Sequence, residues 1–166
     1  MRQRRVVLPL KRKRLGKTDY AARFRLLSSG KPRLVIRKSL RNLTAQAITY
    51  DKKGDRVVAA SSSSELKNFG LPAKKRNIPT AYLVGYLLAK KAKQKKIVDA
   101  ILDMGLYAKT KGSILFACLR GAIDGGMSVP HSKEIFPSEE RLKGKHLKDS
   151  VSVESIIKAI QEKFGA

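Results

Sequence analysis

The sequence predicts an α/β fold: a single domain with a small mixed β-sheet, built as an antiparallel meander plus one crossover strand and covered by α-helices, with a basic N-terminal arm and a C-terminal extension ending in an amphipathic helix. Three observations predict it. Residues 31–60 hold short stretches rich in strand-forming residues, with clear period-two alternation in the first, separated by turn signals. Beyond them, two long apolar segments with helical spacing flank another short apolar run, the order expected of helices crossing over a sheet. The two ends differ from the middle, the first 17 residues holding eight cations and no acid.

The arm, residues 1–17, carries Arg2, Arg4, Arg5, Lys11, Arg12, Lys13, Arg14 and Lys17. Such a segment buries too little apolar surface to order itself and is expected to take its order from a polyanion. Thr18-Asp19 then caps a short helix whose Tyr20, Phe24 and Leu27 are expected to pack while Arg23 and Arg25 reach outwards, and Ser28-Ser29-Gly30 ends it. Gly30-Lys31-Pro32 is a turn. In Arg33-Leu34-Val35-Ile36-Arg37-Lys38 the alternation puts Leu34 and Ile36 on one face of a strand and Arg33, Val35 and Arg37 on the other. Leu43 to Tyr50 reads as the second strand, Asp51 to Asp55 as a turn, and Val57 to Ala60 as the third strand.

A connection follows with a cationic tip, Lys74-Lys75-Arg76. Asn77 as N-cap and Pro79 in the first turn open a helix from about Ile78 to Gln94, with Tyr82, Leu83, Tyr86, Leu87 and Ala89 towards the sheet and a lysine cluster at its end. Ile97 to Asp103 reads as the fourth strand, and Ile114 to Ile123 as a helix stopped at Gly125-Gly126. From Val129 the periodicity is lost until a last helix, whose Val153, Ile156, Ile157, Ile160 and Phe164 form one stripe. The organisation expected is an arm at 1–17, an α/β domain at 18–126 and an extension at 127–166.

Composition points to the partner. A formal charge of +24 on 166 residues repels itself unless a polyanion is present. No run of about 18 apolar residues is present to span a bilayer and no signal peptide is evident, so nucleic acid in a cytoplasmic setting is expected, with no membrane and no small-molecule substrate. The single Cys118 rules out an internal disulfide and a cysteine-based zinc site. With no Trp, five Tyr and five Phe, contact with phosphates is favoured over base stacking.

Chemistry of the catalytic kind finds little footing, and no cofactor, metal or catalytic residue is expected. Asp99, Asp103 and Asp124 could in principle serve a metal-dependent nuclease on a ribonuclease-H-like sheet, but two strand positions four apart are roughly 13 Å apart, too far to share a metal pair about 4 Å wide. Carboxylates paired with neighbouring cations are the preferred reading. His131 and His146 lack a partner at ligand spacing. Cys118 falls in an apolar helix, and the glycines at 121, 125 and 126 end a helix instead of opening one.

Several blocks carry a resemblance: Asp19-Tyr20 to Arg23, Ser29 to Ser39, Thr80 to Gly85, Leu102-Asp103-Met104-Gly105-Leu106, Thr110-Lys111-Gly112-Ser113, Gly121 to Gly126, and Pro137 to Arg141. Together they resemble the archaeal members of the 5S rRNA-binding family of large-subunit ribosomal proteins, the eighteenth large-subunit protein in bacterial naming. The resemblance covers nearly the whole chain. It implies a mixed sheet with helices against it, and a structural protein that anchors 5S rRNA in the central protuberance beside large-subunit rRNA and neighbouring ribosomal proteins, among them the second 5S rRNA-binding protein. Carried onto this chain, the contacts would be Arg2, Arg4, Arg5, Lys11, Arg12, Lys13, Arg14, Lys17, Arg23, Arg25, Arg33, Arg37, Lys38, Arg41, Lys74, Lys75, Arg76, Lys109 and Lys111. Arg33 and Arg37 are expected to locate the RNA, because a guanidinium holds phosphate in bidentate fashion where lysine acts as a point charge. A nuclease and a general basic nucleic-acid binder rank behind this reading.

Overall fold

A computed structural model describes residues 8–71, 76–145 and 152–164. The expectations for Arg2, Arg4, Arg5, Lys74, Lys75 and His146 lie outside the described residues. Elements run in the order α1 (Lys11–Arg14), α2 (Tyr20–Leu27), β1 (Arg33–Lys38), β2 (Leu43–Thr49), β3 (Arg56–Ser62), a 3-10 turn (Glu65–Phe69), α3 (Ile78–Gln94), β4 (Ile101–Asp103), α4 (Ile114–Asp124), a 3-10 turn (Lys133–Ile135), α5 (Glu139–Leu142) and α6 (Val153–Phe164).

The four strands form one mixed sheet in the order β3-β2-β1-β4. The meander is antiparallel, with Leu34 opposite Ala47 and Ile36 opposite Ala45, and β4 adds parallel to β1 with Leu34 opposite Leu102. A register shift at Ala47/Ile48 bends β2 against β3. One face, made by Leu34, Ile36, Ala45, Ala47 and Ala59, is buried against the helices. Its small alanines let α3 approach closely, and the buried Ser61 hydroxyl donates to the Val84 carbonyl of that helix at 2.8 Å.

α3 is the centre of the packing. It touches β2 and β3 on one side and α4, α5 and α6 on others, which explains why its apolar residues run around the whole cylinder and not along one stripe. Against α4 the approach is very close: a Cβ on Gly85 would stand 1.9 Å from the Cys118 carbonyl oxygen, and one on Gly121 would stand 1.9 Å from that of Tyr82. The stripe on α6 packs as expected, with Val153, Ile156 and Ile160 in the same core as the sheet and α3. Gln161 Nε2 donates to the Tyr86 hydroxyl at 2.8 Å, and the Phe164 ring lies 6.4 Å from that of Phe69. The residues after Gly126 therefore help to close the core, Val129 and Leu142 included.

Three details differ from the sequence reading. The α2 stripe packs only in part: Tyr20 and Leu27 are half-buried, but Phe24 is 72% exposed and no residue of the helix is fully buried. Eight residues give only about two turns, and Arg23 turns to the Asp55 carboxylate instead. The fourth strand is short, because Ala100 donates to Ser128 O and Ser128 to Val98 O, so residues 98–100 pair with the chain leaving α4 before the sheet is reached. Within the arm, Lys11–Arg14 closes a single exposed helical turn.

Candidate nucleic-acid interface

The face of the sheet away from the helices carries Arg33, Val35 and Arg37 on β1, Thr44, Gln46 and Ile48 on β2, and Ala60 and Ser62 on β3. The resemblance implies that both arginines locate the RNA. Arg33 instead is 2% exposed. Its Nη1 donates to Asp103 Oδ2 at 2.7 Å and its Nη2 to Asp55 Oδ2 at 2.6 Å, while Nε is buried without a partner among the described residues. Asp55 also receives Arg23 at 2.7 Å. A cation buried on a sheet face would be stranded without such partners, and the two aspartates supply them.

Arg37 takes a middle position. Its Nη1 donates to the carbonyls of Ile36 and Asp103, both at 2.8 Å, and its Nη2 to Asp103 Oδ1 at 3.0 Å. The side chain nonetheless keeps 42% of its surface in solvent. It is thus held in one orientation with donor capacity left over, since a guanidinium has five N–H groups. Desolvation raises the Asp103 carboxyl, but the bonds and charge of Arg37, the Gly105 amide and Arg33 outweigh it and hold the group below the usual carboxylate range. Asp55 behaves in the same way, desolvation being outweighed by Arg23 and Arg33.

A second group of cations gathers where β1 ends. The Tyr107 hydroxyl donates to Lys38 O at 2.8 Å, drawing in the loop that carries Lys109 and Lys111, and Lys38 Nζ sits 5.2 Å from the centre of that ring. Arg76 Nη1 donates to Ser39 O at 2.7 Å, so Lys38, Arg41, Arg76 and the loop share one end of the sheet. Lys111 also meets Glu134 at 3.1 Å, both largely exposed. Lys11, Lys13, Arg14, Lys17 and Arg25 stand exposed, and Arg12 Nε donates to Thr18 Oγ1 at 2.9 Å. The structure brings together the ends of β1 and the 104–111 loop; it draws none of the described arm residues into either group.

Pairing of Asp103 with cations is as the sequence reading has it, but that reading missed which arginines it meets, Asp55 as their second carboxylate, and Arg141, whose guanidinium reaches the loop at Gly112. A lone carboxylate in strand spacing, within so basic a chain, was the available signal for Asp103.

The three aspartates do not form a metal centre. Asp103 is held by arginines, and Asp124 accepts from the Tyr82 hydroxyl at 3.0 Å and Arg120 Nε at 3.1 Å. Among the described residues no three His, Cys, Asp or Glu side chains cluster so as to hold a metal ion. Burial pushes the Cys118 thiol up, away from thiolate chemistry. His131 Nδ1 lies 2.7 Å from Val129 O, with the ring 5.0 Å from Phe136.

Comparison with known proteins agrees with a polyanion-facing structural protein. Residues 4–100 and 90–132 match the family model described as "Ribosomal large subunit proteins 60S L5, and 50S L18". A curated relative named "Large ribosomal subunit protein uL18", from Methanococcus maripaludis, is 50% identical over 142 residues, covering 86% of this chain and 74% of the relative.

Proposed function

The chain belongs to this family of large-subunit ribosomal proteins, and from that premise we propose that it binds 5S rRNA and anchors it in the central protuberance against large-subunit rRNA and the second 5S rRNA-binding protein. It is a structural protein of the ribosome and not an enzyme. No helix among the described residues is long and apolar enough to cross a membrane.

The observation that carries the RNA reading is the fixed placement of cations along β1. Folded RNA is recognised largely by shape, 2′-hydroxyls and phosphates. A rigid strand with Arg37 oriented near its end and Lys38, Arg41 and Arg76 beyond it offers phosphate contacts at set spacing. Arg33, at the start of the same strand and on the same face, ties β1 to Asp103 and Asp55, and its part in recognition is to orient its neighbours. The arm, residues 1–17, adds charge that folds onto RNA, beside the α/β domain of 18–126 and the extension of 127–166.

The experiment is an equilibrium titration of the protein against folded 5S rRNA and an unrelated RNA of equal length, at several salt concentrations. A preference of about a hundredfold or more for 5S rRNA that persists as salt rises is the expected result, because charge neutralisation alone favours any polyanion and fades with salt. Equal affinities vanishing together would leave a general basic binder and sink the 5S assignment. Duplex DNA bound as tightly as 5S rRNA would do the same.

A further inference from the structure

α3 and α4 both begin at one open cleft. α3 is capped by Asn77, whose Oδ1 accepts from the Thr80 amide at 2.9 Å. α4 starts after Ser113, which makes no capping bond with its side chain. The Ser113 Oγ is buried and has no hydrogen-bond partner among the described residues. The amides of Ile114, Leu115 and Phe116 have no acceptor within the helix by geometry, and Leu115 and Phe116 are buried. Free amides at a helix start take an acceptor from outside the helix.

Two cations from distant parts of the chain reach the same cleft. Its walls include Lys38, Asn77, Thr110, Ser113, Leu115 and Arg141. Lys38 is steadied by Tyr107, as described above. Arg141 arrives from α5: a Cβ on Gly112 would lie 3.8 Å from its Nη1, and the Gly112 amide donates to Ile135 O at 2.9 Å, tying the loop to the segment before α5. Among the described residues no carboxylate lines the cleft. At about 500 Å³ it has room for a phosphate together with the sugar attached to it.

We propose that this cleft is a phosphate-binding site, in which the α4 amides donate to the phosphate oxygens from one side, joined by the Ser113 hydroxyl once it rotates out of its enclosed position, and Lys38 and Arg141 donate from the other. Helix N-termini favour anions through exposed amides and the helix dipole, and a guanidinium can hold two phosphate oxygens at once. The phosphate could belong to an RNA backbone or be free. In the first case the inference rests on the RNA-binding reading; as an anion site it stands without it.

The test is an amide NMR titration of the full chain with sodium phosphate, against sodium chloride at matched ionic strength. Saturable shifts at Ser113, Ile114 and Leu115 in phosphate alone are expected, weakened about tenfold in Arg141→Gln and in Lys38→Gln, as the loss of one charge-assisted contact implies. Both side chains lie at the surface, and an unchanged melting temperature in chloride shows that each variant is folded. No saturable shift, or the same shifts in chloride, overturns the proposal. So does full phosphate affinity in both variants.

The source of the phosphate is read from the salt dependence of 5S rRNA binding. A backbone phosphate in the cleft predicts a slope of log affinity against log salt shallower by roughly one in Arg141→Gln. Phosphate binding with an unchanged slope excludes the RNA backbone and assigns the site to free phosphate. If the protein shows no preference for 5S rRNA while the phosphate shifts persist, the functional reading fails and the anion site survives.

Discussion

Arg33 Nη1 and Asp103 Oδ2 meet at 2.7 Å across 70 residues of chain, joining the start of β1 to the end of β4. The pair lies on the sheet face opposite the helices, and Asp55 and Arg37 extend it to both sides. Removing one partner of a buried pair leaves the other charge uncompensated. Arg33→Ala is therefore expected to cost about 3–5 kcal/mol of folding stability, measured by chemical denaturation. A loss below 1 kcal/mol would mean that water replaces the guanidinium at no cost.

Arg37→Ala should divide its effect. Its half-exposed side chain is expected to contribute about 1 kcal/mol to the fold and about 1–3 kcal/mol to RNA binding. Paired denaturation and RNA titrations check this, and a stability loss equal to that of Arg33→Ala would place Arg37 in the core network alone.

Acid should dismantle the cluster. Asp55 and Asp103 titrate below the ordinary value of 3.8 in the folded chain. Their contribution is complete above that value and is lost as pH falls through the depressed folded values, since the unfolded chain then binds more protons. The melting temperature of the double variant Arg33→Met, Asp103→Leu should consequently fall less between pH 5 and pH 2 than that of the unaltered chain. Parallel curves would show that other carboxylates govern acid unfolding.

The crossing of α3 and α4 leaves no space for a methyl group at Gly85. Gly85→Ala places that carbon against backbone, which cannot rotate away, so the helices must separate. The expected cost is about 3 kcal/mol, or a fall in melting temperature of roughly 6–12 °C for a chain of this size. A melting temperature within 2 °C of the parent would show that the helices slide apart freely.

α6 is held by buried side chains, with Ile160 fully enclosed. Ile160→Ala should cost about 2–5 kcal/mol in denaturant, and hydrogen exchange should rise in α6 and at Tyr86. Unchanged exchange in α3 would show that α6 docks without supporting its neighbour.

The sequence alone determined the class of fold and of partner. Period-two alternation in Arg33–Lys38 set the apolar face of β1, the Asn77 and Pro79 signals set the start of α3, and the stripe from Val153 to Phe164 marked α6, because each is a local pattern that one short element must satisfy. The excess of cations announced a polyanion for the same reason, being a sum over the chain. Tertiary structure alone decided what each cation does. Arg33 and Arg37 occupy equivalent positions in the alternation, yet one is sealed between Asp55 and Asp103 and the other keeps an open side. Those carboxylates come from 22 and 70 residues away, and no local pattern in β1 encodes which arginine they meet. Likewise, Phe24 stays outside because no described element comes to cover an eight-residue helix, and the cleft at Ser113 takes its charge from Lys38 and Arg141, which converge on it from distant parts of the sequence.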